Sequence, residues 1–408
     1  MKSEMWNAEL RGWLDRSARE VGFEAVGVAR VRDAQDPDAT REAARYTAWV
    51  EAGRAGEMEY LKRRDEAGTL IRSGVRVAMP WAQSVVVCAL NYNCEAPRSV
   101  DPAEPGTGWI ARYAWSGRAG DDGTVTATDY HDELLSRLRL IEAELLAQTA
   151  CTTRCYVDTG PLVERSLAAQ AGVGWIGKNT CVLNQQLGSW LLLGIIVTSL
   201  PVDEPVAAMV PAADRCGTCT RCIDACPTGA LLGSSDPAAP REMDASRCIA
   251  YLTIEKKGTI DPYLRAQMGR QVFGCDICQD VCPWNRRAPI AHHAGMHPRM
   301  ELVNPALEWL AAMDAREFKL RFKGSPVERT GRKRLLRNVA IAMGNSGDGD
   351  LLPQLDAWAS DAAATDPVLR EAADWARVRI RSWRRGDTAD GVRGSASLEG
   401  RSRGGSRE

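Results

Sequence analysis

The sequence predicts an α+β chain in three parts: an N-terminal α/β region, a ferredoxin-type segment and a helical C-terminal region. Three observations carry that prediction. β-rich runs alternate with helical periods between about residues 84 and 200, eight of the thirteen cysteines crowd between Cys216 and Cys282, and the texture after Cys282 is helical. A chain of 408 residues is too long for one compact core and suits two or three domains.

Taken in order, Met1 to Arg30 reads as an amphipathic helix broken by charges. It has no long apolar core, no small-residue cleavage site and no twin arginine, so no export signal is expected. No run of roughly 18 uncharged apolar residues exists to span a bilayer. The apolar run Trp190 to Leu200 is too short and reads as a buried strand, and the expected location is the cytoplasm. Further strands are expected at Ser84–Tyr92, Arg154–Val157, Thr180–Leu183 and Trp190–Thr198. Tyr130–Gln148 repeats Leu134, Leu135, Leu138, Leu140, Ile141 and Leu145 at helical spacing, and Pro161–Ala171 is a second helix. Gly117–Thr128, rich in Gly, Asp and Thr, is expected as an exposed loop. Asp203–Asp214 reads as a linker. Helices follow at Pro305–Met313, Arg332–Met343, Leu351–Trp358 and Pro367–Trp383, with turn signals between them that resemble a degraded α-solenoid repeat. From Gly386 onward the composition is that of a disordered tail.

A net charge of −1 gives no global attraction to nucleic acid or membrane, so any such affinity must be local. The cysteines are the strongest signal. Thirteen thiols in a chain without an export signal point to metal rather than disulfides. Cys216-x2-Cys219-x2-Cys222-x3-Cys226-Pro227 has the spacing of bacterial ferredoxins, and Cys275-x2-Cys278-x3-Cys282-Pro283 follows, with Cys248 upstream. In that pattern the cysteine before proline reaches across to the neighbouring cluster. One 4Fe–4S cluster is therefore expected on Cys216, Cys219, Cys222 and Cys282, the other on Cys226, Cys248, Cys275 and Cys278. Zinc also uses Cys-x2-Cys pairs, but gives no reason for a third cysteine at the same spacing followed by Cys-Pro. Cys88, Cys94, Cys151, Cys155 and Cys181 read as core or surface thiols. Two adjacent cubanes make an electron relay, and the N-terminal region is where its terminus is expected.

Asp158 falls where a strand ends and a helix begins. A proton donor could be held there, and an Asx-turn or N-cap aspartate fits Asp-Thr-Gly-Pro slightly better on spacing alone. Gly172-Val173-Gly174-Trp175-Ile176-Gly177 satisfies G-x-G-x-x-G in the wrong context, because a helix precedes it and a strand follows. The glycines are instead expected to let the backbone approach a planar ligand or another strand. Lys178 and Asn179 are either hydrogen-bond donors to such a ligand or a solvated lysine and a turn asparagine. His131 reads as an N-terminal capping residue. His292, His293 and His297 read as surface histidines without a partner carboxylate. Arg316, Lys319, Arg321, Lys323, Arg329, Arg332, Lys333, Arg334 and Arg337 form a basic run. It is either an RNA-contacting surface or a solvated helix face.

Several long motifs, in order, resemble the epoxyqueuosine reductase family. They are Val157-Asp158-Thr159-Gly160-Pro161, Ala171 through Asn179, the two cysteine runs with Asp224 through Ala230 and Val281 through Asn285, and Arg247-Cys248-Ile249-Ala250-Tyr251-Leu252-Thr253-Ile254-Glu255. Fainter similarity runs from about residue 8 to 383. The resemblance implies the last step of queuosine synthesis, reduction of the epoxide of epoxyqueuosine at the tRNA wobble position, by a monomer using two 4Fe–4S clusters, base-off cobalamin and an unidentified low-potential electron donor. It places Asp158 in the proton-donor position, which reverses the lean towards a structural aspartate. It puts Arg63, Asn179, Val182, Ile249, Cys275 and Asp276 around cobalamin and Lys256 towards tRNA. The layout it implies is residues 1–205 as a cobalamin-binding catalytic domain, 206–295 as the two-cluster domain, 296–383 as a HEAT-like tRNA-contacting domain and 384–408 as a tail. Arg112-Tyr113-Ala114 and Asp129-Tyr130-His131 resemble one family motif split by the insertion Ser116–Thr128. Two other classes remain as alternatives: a cobalamin and Fe–S reductive dehalogenase, and a non-catalytic electron-transfer module.

Overall fold

The computed structural model describes residues 3–207, 212–239, 241–361 and 366–385. Its N-terminal region is built on one antiparallel sheet. The strands are β1 (Ala25–Arg30), β2 (Ser84–Asn91), β3 (Thr153–Tyr156) and β4 (Leu191–Thr198), in the order β1-β2-β4-β3. All eight residues of β2 are buried, because both faces of the sheet are covered. Side chains alternate along a strand, so Val86, Cys88 and Leu90 pack with helices α1 (Ala8–Glu20) and α2 (Tyr130–Gln148). Val85, Val87 and Ala89 face the other way, towards α3 (Glu164–Gln170).

α2 buries Leu134, Leu138, Ile141 and Leu145 completely, one stripe at helical spacing, whereas Leu140 is exposed. The expected N-terminal helix proves to be two elements: α1 stops at Glu20, and Ala25–Arg30 is a strand paired with β2. The expected strand Thr180–Leu183 shrinks to Val182–Leu183, which pairs with Trp175–Ile176, because Thr180 has a left-handed φ of 62°. The expected loop at residues 117–128 is a β-hairpin. Ser116–Ala119 pairs with Val125–Ala127 around a Gly-Asp-Asp-Gly turn, and its outer edge pairs with His297–Pro298. The short parallel pairing of Gln271–Phe273 with Trp109–Ile110 also ties the cysteine-rich segment into the N-terminal region.

Beyond residue 300 the described residues are helical. The central helix α4 (Gly331–Ser346) buries an unbroken run from Leu335 to Gly344 and packs closely with α5 (Pro367–Arg385). Part of the expected linker, residues 208–211, and the expected disordered tail from Gly386 lie outside the described residues. Among the described residues no helix is long and apolar enough to cross a membrane.

Candidate active site and cysteine centre

Asp158 ends the excursion of the chain beyond β3 with a φ of 57°, a strained setting for a residue with a side chain. Its backbone N–H donates to Glu164 Oε1 at 2.8 Å, which ties the turn to the first residue of α3. The carboxylate is 68% exposed and accepts a hydrogen bond from the Tyr130 hydroxyl at 3.1 Å, with His131 Nε2 at 3.8 Å. His131 is not a cap. Asp129 caps α2, and its Oδ1 also meets His131 Nδ1 at 2.7 Å. Arg329, on a short turn before α4, closes the group by reaching Asp129 Oδ2 at 2.6 Å and His131 Nε2 at 2.9 Å.

This wiring sets the protonation states. The close approach and charge of His131, helped by the Tyr130 hydroxyl, hold Asp158 below the usual carboxylate range. Burial opposes a charge on His131, but the hydrogen bond with Asp129 and the nearby Asp158 carboxylate outweigh it and lift its pKa. The neutral ring donates from Nδ1 to Asp129 and accepts from Arg329 at Nε2; a proton on Nε2 would face the Asp158 carboxylate but be opposed by the Arg329 guanidinium, which can only donate. Burial, with the charge of Asp158, pushes Glu164 up to about 7.

The insertion does not separate the two halves of the split motif. Because the hairpin returns the chain to its starting point, the rings of Tyr113 and Tyr130 meet edge to face, 5.8 Å apart. Tyr113 also leads to Asp276, since both Asp158 and Asp276 act on its hydroxyl, which burial and these charges raise. Asp276 is buried, accepts from the Arg112 backbone N–H at 2.6 Å, and is pushed up to about 7 by burial and the nearby Asp280. The Arg112 guanidinium is itself buried, donating to Asn93 Oδ1 at 3.0 Å and lying 4.6 Å over the Trp190 ring.

The glycine segment resolves as strand contact. A Cβ on Gly174 would lie 2.2 Å from the Leu183 carbonyl oxygen, so only glycine permits the pairing of the two short strands. Lys178 fits neither expectation: it is fully buried and donates to the Gly217 carbonyl at 2.7 Å, inside the first cysteine loop. Asn179 is buried with Oδ1 turned onto the Cys181 N–H at 3.2 Å, which leaves Nδ2 without a partner. Val182 and Ile249 are buried, Cys275 is half-buried, and Arg63 is exposed. Lys256 is ion-paired with Glu57. His293 was expected to lack a carboxylate, yet it meets Glu24 at 2.7 Å.

The cysteines fall into two groups. Cys222 is pushed up to about 12 by burial and by Cys282, Cys216 and Cys219 around it. Cys275 is raised by burial, with Cys248 and Cys226 adding to it, and Cys278 also feels Cys275 and Cys248. Thiols that burial and mutual repulsion keep protonated become ligands only when a cation compensates them. None of the thirteen is in a disulfide. Among the described residues no three Cys, His, Asp or Glu side chains converge tightly enough for a single metal ion, whereas a cubane needs wider spacing. Cys181, expected as an ordinary thiol, lies against Cys278.

Residues 215–285 match the model of a 4Fe-4S double cluster binding domain, and residues 72–159 match a family described as epoxyqueuosine reductase QueG, DUF1730. The epoxyqueuosine reductase of Xanthomonas campestris pv. campestris is 36% identical over 363 residues, 88% of this chain and 93% of the relative. That of Pseudomonas aeruginosa is 37% identical, over 88% and 92%. The chain belongs to the epoxyqueuosine reductase family. It is an oxidoreductase. Two epoxyqueuosine reductase structures support the assignment. One, crystallised with an epoxyqueuosine-modified tRNA-Tyr stem loop, has a TM-score of 0.74 at 31% identity, covering 91% of this chain and 90% of that one. The Bacillus subtilis enzyme, whose catalytic aspartate loop is swung out of the active site, has a TM-score of 0.73 at 30% identity with the same coverage.

The sequence missed the group around Asp158, apart from Asp158 itself. The signal was there in Asp129-Tyr130-His131, but the intervening hairpin hid its adjacency to Arg112-Tyr113. Arg329, about 200 residues away, left no local signal.

Proposed function

We propose that this chain reduces the epoxide of epoxyqueuosine at the wobble position of tRNA to the cyclopentene of queuosine, the final step of queuosine synthesis. The observation that carries the reading is the solvent-open carboxylate of Asp158, which accepts from the Tyr130 hydroxyl and faces His131, in a chain that also carries two groups of cysteines.

Cys216, Cys219, Cys222 and Cys282 would hold one cluster, and Cys226, Cys248, Cys275 and Cys278 the other. Arg63, Asn179, Val182, Ile249, Cys275 and Asp276 would hold base-off cobalamin. The orphaned Asn179 Nδ2, the unpartnered Asp280 Oδ1 and the unpartnered Arg112 Nε fit a cradle for a large polar ring system. When bound, cobalamin supplies two-electron reducing power at the epoxide carbon, and the clusters supply the electrons singly.

Turning an epoxide into an alkene takes two electrons and two protons and releases water. Protons are the task of this chain's own side chains. Asp158 is held towards its ionised form in the free protein, so a proton must reach it, and His131, whose proton affinity is raised by Asp129 and Asp158, is the group placed to supply it. Substrate covering Asp158 strips it of water and raises its proton affinity. His131 then gives up its proton, and Asp158 passes it to the departing oxygen; the second proton follows the same route after His131 is reprotonated from solvent, so that the oxygen leaves as water. Tyr130 and the left-handed turn hold the carboxylate in place, and Asp129 with Arg329 positions the imidazole.

The layout fits residues 1–205 as the catalytic, cobalamin-binding domain, 206–295 as the cluster domain, and 296–383 as a HEAT-like grip on the anticodon stem-loop with Lys256 facing tRNA. The protein would act as a cytoplasmic monomer. The test is anaerobic purification with metal analysis, followed by Asp158→Ala. About eight irons and one corrinoid per chain are expected, and the variant should lose queuosine formation with its cluster spectra unchanged. Zinc in place of iron, or full activity in the variant, would refute the mechanism.

A further inference from the structure

The cysteine loops of the first group reach the surface, and the charges around them are unusual for a chain of net charge −1. Gly217 and Thr218, between Cys216 and Cys219, are exposed. So are Arg215, next to Cys216; Arg221, next to Cys222; and Arg286 and Arg287, four and five residues beyond Cys282. At no more than about 3.5 Å per residue, all four guanidinium groups are tethered close to the same cluster ligands. None of them has an ion pair or side-chain hydrogen bond among the described residues. The nearby acids offset them only in part: Asp214 is taken by Arg241 at 2.5 Å, which leaves Asp224, hydrogen-bonded by the neutral Thr220 hydroxyl at 2.7 Å, as one carboxylate near four arginines.

A groove of about 390 Å³ opens beside Arg215, lined also by Gly174, Trp175, Gln185 and Gln186 among others. The Trp175 ring packs on Cys282 and lies 5.1 Å from Trp284, and its indole N–H is buried without a partner among the described residues. An acceptor from outside the chain would satisfy it.

We propose that the exposed rim of the first cysteine group (Arg215, Arg221, Arg286 and Arg287, with the Trp175 groove) is the docking surface for an acidic one-electron carrier protein that reduces this enzyme. The inference rests on the two-cluster reading and names the class of donor that the reading leaves open. The candidate cobalamin cradle, through Ile249, Cys275 and Asp276, adjoins the second cysteine group, so the first group is the end of the relay free to receive electrons. Each docking oxidises the carrier by one electron and reduces the chain's cluster by one; two such events supply one epoxide reduction. Unpaired surface arginines suit this traffic, because charge steering speeds encounter by roughly 10- to 1,000-fold without making the complex too tight to release. Small, salt-sensitive interfaces are typical of redox partners.

The experiment uses the full chain with its clusters reconstituted anaerobically and plant-type 2Fe–2S ferredoxin, an acidic one-electron carrier, as the probe. Calorimetry reads binding of the oxidised carrier, and stopped-flow absorbance reads cluster reduction by the reduced one. Arg286→Glu with Arg287→Glu, and separately Arg215→Glu with Arg221→Glu, should weaken binding and slow reduction about tenfold or more at low salt. The salt dependence of the unsubstituted chain should largely vanish in the variants. Reduction by the methyl viologen radical cation should be unchanged or faster, and affinity for a tRNA anticodon stem-loop unchanged. Variants that bind ferredoxin and accept its electrons like the parent would overturn the proposal. So would a loss of tRNA affinity alone, which would assign the surface to RNA. Iron is measured in the same samples: its absence from the parent sinks the cluster reading, whereas full iron with indifferent kinetics sinks only the docking surface.

Discussion

The region around Asp158 and the rim of the first cysteine group handle charge in opposite ways. Beside Asp158, Asp129 is shared between His131 and Arg329, and Tyr130 and His131 attend the carboxylate itself. At the cluster rim, four arginines stand without partners among the described residues. The contrast follows from what each place would do. A proton must move between fixed atoms, so its donors and acceptors are locked by mutual bonds. A protein partner must arrive and leave, so its attracting charges stay open to solvent. A dense run of basic residues is therefore a poor guide to a binding face. Within Arg316–Arg337, Arg337 is fully buried on the carbonyls of Leu252, Lys256 and Gly258. Arg332 and Arg334 also donate to backbone carbonyls, of Met313 and Ile254.

The largest expected effect separates the two regions outright. Asp158→Ala should lower epoxide reduction about 10²- to 10⁴-fold, the usual span for a general acid, yet leave ferredoxin-driven cluster reduction at the parental rate. The rim substitutions should show the reverse pattern, slow reduction by ferredoxin with normal turnover when methyl viologen supplies the electrons. If one substitution impaired both readouts equally, the division of labour would fail.

Next in size is the scaffold between them. Gly174→Ala forces a methyl group to within 2.2 Å of the Leu183 carbonyl, backbone against backbone, so the two short strands must separate. A cost of about 2 kcal/mol or more is expected in denaturant melts, with the lost order centred on the Trp175 contact to Cys282. An unchanged melt would mean that this pairing is dispensable.

How far the fold could be read in advance depended on the range of the interactions. β2, β4 and α2 were legible because Val86, Leu138 and Ile196 obey short periods that burial imposes on neighbours in sequence. The cysteine runs were legible because their spacing is itself local, 216 to 226 and 275 to 282, whereas the approach of Cys282 to the first run is not. Asp129, His131 and Arg329 were not, since their partnership spans about 200 residues and leaves no periodic trace. Lys178 misled for a related reason: nothing nearby in sequence indicates that a lysine will be buried on the Gly217 carbonyl. Family resemblance, rather than spacing, pointed to Asp158.

Arg329 tests whether the locked side is locked for protonation or only for shape. Arg329→Gln removes a cation whose charge lowers the pKa of His131 and stabilises ionised Asp129. Stability should fall by about 1–2 kcal/mol, the loss of charged hydrogen bonds discounted for a half-exposed guanidinium. The pKa of His131 should rise. If His131 stores the proton, activity declines as pH climbs through that pKa, so in the variant the decline should begin at higher pH. A decline at the parental pH, with the same loss of stability, would reduce Arg329 to a structural clasp.

The smallest effect concerns Glu164, whose carboxyl is half-buried behind Asp158 and pushed up to about 7 from an ordinary 4.5. A group that binds its proton more tightly when folded favours folding at low pH. That advantage fades as pH rises from 4.5 to about 7, and above it the folded protein carries the full cost of a poorly solvated charge. Glu164→Gln retains an oxygen to accept the Asp158 N–H but removes the titration. The variant should therefore match the parent near pH 4.5 and exceed its stability at pH 8 by about 1 kcal/mol, after allowing for the water still reaching the carboxyl. Turnover at pH 8 should change little, because His131 rather than Glu164 faces Asp158 Oδ2. If turnover collapsed while stability rose, the proton would have to enter through Glu164, and the fixed pairing around His131 would serve to hold Asp158 in place instead of supplying it.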